Sequence, residues 1–163
     1  MAGVPLYATS VQPEWVDYNG HLRDAFYVLI ASLATDALMD RVGLDAGYRA
    51  RTGGTLYTLE LHVHYLREVK ADDEVRVQLR ILALDAKRLQ VLLELRRAPD
   101  ETLCAAIELL LLHVRQTPAG VASAPLPEAS AAALAALQAA AGSLPEEAPR
   151  SRRIELRRPA AGA

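Results

Sequence analysis

Residues 23–42 read RDAFYVLIASLATDALMDRV, and apolar side chains fall on nearly every side of the helix they would form: Ala25, Phe26, Val28, Leu29, Ile30, Leu33, Ala34, Ala37, Leu38 and Met39. The few polar exceptions are Ser32, Thr35, Asp36 and Asp40. A helix patterned this way has little surface to offer water, so it must be enclosed on most of its circumference. Whatever encloses it has to come from the rest of the chain.

The sequence around it supplies strands. Before the helix, residues 7–16 read as a first strand ending in DYNG, whose Asn19 and Gly20 are strong turn formers. After it, Tyr57, Leu59, Leu61, Val63 and Tyr65 alternate with Thr58, Glu60, His62 and His64, the period of a half-buried strand. Residues 74–84 repeat the alternation with Val75, Val77, Leu79 and Ile81 inward, and residues 88–96 with Leu89, Val91, Leu93 and Leu95. The short DAKR connection joins these two as a hairpin. Residues 102–115 are apolar on both faces for much of their length, as expected of a central strand or of one covered by a second subunit, and the subunit interface is the favoured cover.

The order βαββββ predicts an α+β fold in which a long antiparallel sheet of about five strands wraps around one buried helix. One such sheet leaves an open side and two edges, which predicts at least a dimer. Pro118, Pro125 and Pro127 then mark a linker, residues 128–141 an Ala-rich helix docking weakly through Leu134 and Leu137, and the tail from Pro145 a disordered segment carrying Arg150, Arg152, Arg153, Arg157 and Arg158. The expected division is a domain over residues 1–116 and an extension over residues 117–163.

Composition narrows the function classes. Eighteen basic against twenty acidic side chains give no field to attract nucleic acid or an anionic membrane. No run of eighteen uncharged apolar residues would span a bilayer, and MAGVPLYATSVQPEW lacks the basic-then-apolar pattern of an export signal, so a cytoplasmic protein is expected. The one cysteine, Cys104, excludes an internal disulfide and is read as packing.

Chemistry concentrates where the first strand turns into the helix. There stand Asp17, Asn19, Gly20 and His21, followed by Leu22, Arg23 and Asp24 at the helix N-terminus. Unpaired amides and partial positive charge at such a terminus would stabilise an oxyanion developing on an acyl group, with the amides of Leu22 to Asp24 as donors. A carboxylate at Asp17 would serve either as general base on water or as nucleophile. The same residue types also fit a capped turn with a packed histidine.

DYNGHLRDAFY, residues 17–27, resembles the DxxGHxNNxxY signature of the 4-hydroxybenzoyl-CoA thioesterase-like hotdog proteins. Asp17, Gly20, His21 and Tyr27 match, and Arg23 and Asp24 replace the Asn pair. The resemblance spans about residues 7–115. It implies hydrolysis of an acyl-CoA without metal or other cofactor, Asp17 as the catalytic carboxylate with His21 beside it, an oxyanion site of backbone amides, and dimers or dimers of dimers. It also implies basic side chains against the CoA phosphates, for which Lys70, Lys87 and Arg88 stand in strand connections. The stretches GLDAGYR, LELHVHYLREVKADDEV and DAKRL further resemble thioesterases of bacterial carnitine breakdown that act on betainyl-CoA. A trimethylammonium acyl group needs aromatic faces or a carboxylate, and Trp15, Tyr18, Tyr27, Tyr57 and Glu60 are the candidates.

Two other readings follow from the same residues. His62, His64 and Glu68 have the HxHx3E spacing with which cupins bind a metal, although the later histidine of such a site would have to be His113, with no Pro/Gly turn before it. A hotdog domain that binds an acyl-CoA without turning it over is the third.

Overall fold

The computed structural model describes residues 3–142 and 148–150. In chain order the elements are β1 (Val4–Ser10), a 3-10 turn (Pro13–Trp15), α1 (Asp24–Arg41), α2 (Ala46–Thr52), β2 (Gly54–Tyr65), β3 (Glu74–Leu84), β4 (Arg88–Arg97), β5 (Thr102–Thr117), β6 (Gly120–Ser123) and α3 (Glu128–Ala140). The strands form one antiparallel sheet in the order β1-β3-β4-β5-β2, with β6 added to the end of β5. This is the hotdog arrangement expected, an α+β sheet curled around α1. Arg41 donates to Pro5 O on β1 at 2.9 Å, while Tyr65 OH on β2 donates to Asp24 O at 3.3 Å, so the helix reaches both outer strands of the path.

The core lies between α1 and one sheet face. Tyr27, Ile30, Ala31, Ala34 and Leu38 of α1 meet Val75, Val77, Leu79 and Ile81 of β3 and Leu89, Val91, Leu93 and Leu95 of β4 in one buried cluster. Burial of α1 is one-sided, contrary to the expectation of near-complete enclosure. Val28 and Leu29 are 37% and 39% exposed, and this is apolar surface a lone chain does not cover.

Several boundaries differ from the sequence reading. The first strand ends at Ser10 rather than Val16, because Pro13 opens a 3-10 turn and Val16 keeps only an isolated bridge to Leu22. α2 was not expected; Asp45 caps it, accepting from Tyr48 N at 2.7 Å, and Gly53 ends it in the left-handed region at φ 66°. Within β2 the alternation breaks. Thr58 pairs with Leu111 and Glu60 with Leu110, so Leu59 is an inserted residue that switches the strand's faces. Leu56, Leu61 and Val63 therefore pack on the core, while Tyr57 and Leu59, expected inward, are 44% and 53% exposed.

The outer face of the sheet also departs from expectation. Leu92, Leu103 and Ala106 form a second buried cluster with Ala148 of the chain's own C-terminal segment. Beside it, Glu94 on β4 is fully buried and takes guanidinium hydrogen bonds from both Arg80 and Arg96, and Arg80 also donates to Gly142 O. α3 docks firmly: Leu134 is fully buried, Leu126 joins the main core, and Gln138 Nε2 donates to Ile81 O at 3.3 Å. Of the tail from Pro145 that was expected to be disordered, residues 145–147 and 151–163 lie outside the described residues, while Ala148 is buried in the second cluster.

Candidate active site

The turn at residues 17–23 is folded by its own carboxylate. Asp17 Oδ1 accepts from Asn19 N at 2.8 Å and from His21 N at 3.1 Å, and Asp17 N donates to His21 O at 2.8 Å. Gly20 sits at φ 79°, a conformation that L side chains rarely adopt, which is why glycine occupies the turn. These amides, His21's first and then Asn19's, hold the Asp17 carboxyl below its ordinary value of 3.8. Both grip Oδ1, and Oδ2 has no donor among the described residues.

A second loop, between β2 and β3, is laced to this turn. Leu22 N donates to Val69 O at 2.8 Å, Ala71 N donates to Gly20 O at 3.2 Å, and His21 bridges to Lys70. The lacing brings Glu68 Oε2 within 2.7 Å of His21 Nε2. Sequence reasoning had assigned Glu68 only to a metal set, since forty-six intervening positions separate it from His21 along the chain.

The expected oxyanion donors are unequal. The Leu22 amide is spent on Val69 O and the Arg23 amide on Trp15 O at 3.0 Å, which leaves the Asp24 amide without an acceptor among the described residues. Asp24 Oδ1 accepts from Ala25 N at 2.8 Å, so the first turn of α1 is capped by its own first residue. Arg23 turns back instead, its Nε donating to Val16 O at 3.0 Å.

Beside this helix mouth a cleft is lined by Leu22, Asp24, Tyr27, Tyr65, Leu66, Arg67 and Glu68. Tyr27 is buried edge-on against Tyr65 with ring centroids 5.1 Å apart, and burial raises its phenol to about 12. Tyr65 took no part in the sequence-based site, although the alternation had placed it on one face with Leu61 and Val63, and its hydroxyl reaches the carbonyl of Asp24 at the start of α1. Trp15 stacks on Phe26 at 5.6 Å, and Tyr18 is 94% exposed.

Other expected site residues lie elsewhere. Tyr57 and Glu60 stand on the sheet face turned away from α1, with Glu60 lining a cleft with His62, Gln90 and Glu108. Lys70 adjoins the site turn through the His21 bridge. Lys87 and Arg88 occupy the far end of the 11-residue β3, roughly 33 Å away at strand rise, where Lys87 Nζ donates to Ser123 Oγ and Arg88 pairs with Asp85. The HxHx3E set does not converge: His62 and His64 stack at 4.6 Å on the outer face, while Glu68 is held by His21. His113, read as a possible partner, is wholly buried, with Nε2 2.9 Å from Tyr48 OH and Nδ1 2.9 Å from Ala124 O.

A curled antiparallel sheet around one helix, with a carboxylate-bearing turn at the helix mouth, is the hotdog architecture. Residues 11–134 match the thioesterase-like superfamily, and the chain belongs to it. Over 108 residues it is 50% identical to the betainyl-CoA thioesterase of Pseudomonas aeruginosa, covering 66% of this chain and 68% of that one. It is 42% identical over 109 residues to the L-carnitine dehydrogenase/betainyl-CoA thioesterase of Agrobacterium fabrum, covering 67% of this chain but 22% of that longer protein. Among solved structures, a candidate thioesterase of Pseudomonas putida KT2440 superposes with a TM-score of 0.78 at 43% identity, over 96% of this chain and 99% of that one. A Staphylococcus aureus protein solved in complex with CoA superposes with a TM-score of 0.82 at 28% identity, over 95% and 98%.

Proposed function

We propose that this thioesterase hydrolyses betainyl-CoA, or a closely similar short cationic acyl-CoA, to the free acid and CoA. The observation that carries the reading is Asp17, a carboxylate held on one oxygen by two amides and open on the other, in the turn leading to the mouth of α1. Oδ2 takes a proton from water as the water oxygen attacks the thioester carbon. The carbonyl oxygen becomes anionic and is met by the Asp24 amide. The C–S bond then breaks, and the leaving sulfur receives the proton that Asp17 took from water, so that the carboxylate is regenerated. A fixed carboxylate suits transfer across a bridging water better than the close approach an anhydride requires.

The choice of acyl group is supported by the two relatives named for betainyl-CoA and by the chemistry of the cleft. Tyr65 offers an aromatic face and Asp24 a carboxylate, the two features that attract a quaternary ammonium. Tyr57 and Glu60, proposed from sequence for this task, lie on the outer face and would serve it only from a partner chain. Lys70 is the best placed of the three basic candidates for a CoA phosphate.

Assembly as a homodimer through β2 is part of the same reading. β2 ends the strand order, so one side of its backbone is unpaired, and Leu59 and Tyr57 are exposed along it with Val28 and Leu29 exposed on α1. A cytoplasmic location, where CoA esters are held, belongs to the same proposal. No helix among the described residues is long and apolar enough to cross a membrane.

The test is thiol release across betainyl, short aliphatic, long aliphatic and aryl CoA esters, with wild type and Asp17→Asn. Turnover of the betainyl ester that vanishes in the variant supports the proposal. Equal turnover in both proteins removes Asp17 from the mechanism, and silence across the panel favours a binding domain.

A further inference from the structure

We infer that Glu68 is a positioning residue for His21: it holds the ring by Nε2–H and so makes Nδ1 the nitrogen left to exchange protons. The catalytic meaning of this inference rests on the hydrolase reading above; its geometry does not.

The contact is short, 2.7 Å from His21 Nε2 to Glu68 Oε2. Both side chains are partly exposed, so as an ion pair it adds little to stability. Its effect is on orientation. The backbones beneath the two partners are fixed to one another by the Leu22 to Val69 and Ala71 to Gly20 hydrogen bonds. Glu68's own carbonyl is held in turn by Arg97 Nη1 at 3.5 Å and by the buried Cys104 Sγ at 3.9 Å. The backbone that carries Glu68 is therefore braced beside the ring.

A neutral imidazole carries one proton, and an ionised carboxylate only accepts. With Glu68 at Nε2 the proton stays there, and the lone pair is confined to Nδ1. This is the logic of a carboxylate behind a catalytic histidine, which selects one tautomer and one ring orientation. Nδ1 then takes up the proton that Asp17 receives from water and delivers it to the leaving sulfur, so that CoA departs as a thiol and the acid product releases its own proton to solvent. Nε2–H remains on Glu68 throughout.

The experiment combines steady-state kinetics on betainyl-CoA with side-chain 15N spectra of the four histidines, His21 being assigned through His21→Asn. In the wild type the His21 ring is expected to be protonated at Nε2. Glu68→Ala should lower kcat about tenfold, with KM changed less than about twofold, and should move the His21 ring signals toward a mixture of tautomers. Glu68→Gln keeps an acceptor oxygen and should retain at least about a third of kcat together with wild-type ring signals. The inference is overturned if Glu68→Ala keeps kcat within about twofold, if its ring signals do not move, or if Glu68→Gln is as impaired as Glu68→Ala. Full activity in Asp17→Asn would instead sink the hydrolase mechanism, and the ring signals of Glu68→Ala would still decide the tether.

Discussion

Asp17 and His21 hold each other twice: the His21 amide donates to Asp17 Oδ1 at 3.1 Å, and the Asp17 amide donates to His21 O at 2.8 Å. The carboxylate proposed for chemistry is thus also the clasp of its own turn, and the two roles separate by substitution. Asp17→Asn keeps an oxygen at the Oδ1 position, so it should lose activity while melting close to wild type. Asp17→Ala should lose activity and melt lower. Thermal melts of both variants check this, and equal melting temperatures would show that the clasp contributes nothing.

The same amides fix the sign of a pH dependence. They lower the Asp17 carboxyl in the folded chain, so the ionised form survives to lower pH than in an ordinary carboxylate. The acid limb that belongs to Asp17 should lie below the usual carboxylate range, so with the ring removed in His21→Asn the residual kcat/KM should stay flat as pH falls from neutrality to about 5. An acid limb near pH 6 that persists in that variant would assign the essential base to another group.

Two glycines should respond differently to alanine. At Gly20 nothing lies within 4 Å of the added carbon, so the cost is the φ of 79° alone, about 1 kcal/mol. At Gly54 the carbon falls 2.5 Å from the Tyr48 ring, and relief requires moving a side chain that is bound to buried His113. Gly54→Ala should therefore cost more, roughly 2–3 kcal/mol, in chemical denaturation. The reverse order would mean that Tyr48 is free to give way.

Glu94 gives a stability prediction on the opposite sheet face. It is fully buried where the Arg80 and Arg96 guanidinium groups meet. Glu94→Gln should destabilise by on the order of 3 kcal/mol with little effect on kcat per folded molecule. A neutral result would show that the two arginines find equivalent acceptors.

Lys70 and the Lys87–Arg88 pair should separate in kinetics. Lys70→Ala, next to the site turn, should raise KM several-fold with kcat nearly unchanged, as removal of uniform binding does. Lys87→Ala and Arg88→Ala should affect KM less unless a partner chain brings the far end of β3 to the site. Comparing the three KM values at constant ionic strength decides it.

Much of this was legible from residues alone, and for stated reasons. The period-2 runs of β3 and β4 put Val75 to Ile81 and Leu89 to Leu95 on the core, because a half-buried strand leaves no other pattern. The turn at Asp17 was visible because Asn19 and Gly20 mark it. The β2 insertion was not, since an extra residue inside an alternating run changes parity without changing composition, and it carried Tyr57 out while Leu61, Val63 and Tyr65 kept the face expected of them. Glu68 escaped for another reason: its partner is set by the pairing of two loops, which no local spacing encodes. The one-sided burial of α1 reflects a lone chain, and Val28 and Leu29 are where the pattern asked for more cover than one chain gives.

The stitching of residues 17–22 to residues 69–71 has a consequence for how the protein comes to life. The hydrogen bonds from Leu22 N to Val69 O and from Ala71 N to Gly20 O tie the turn to a loop suspended between β2 and β3, and those strands sit on different sides of the sheet order, β2 beside β5 and β3 beside β4. The loop is held in place only once the sheet that separates its two strands has closed. A nascent or partly denatured chain, however helical α1 already is, has Asp17 in a loose segment with no fixed neighbour at His21. Regain of activity on refolding should therefore trail the recovery of sheet signal and never lead it, and a cell is spared an indiscriminate hydrolase in every half-made copy.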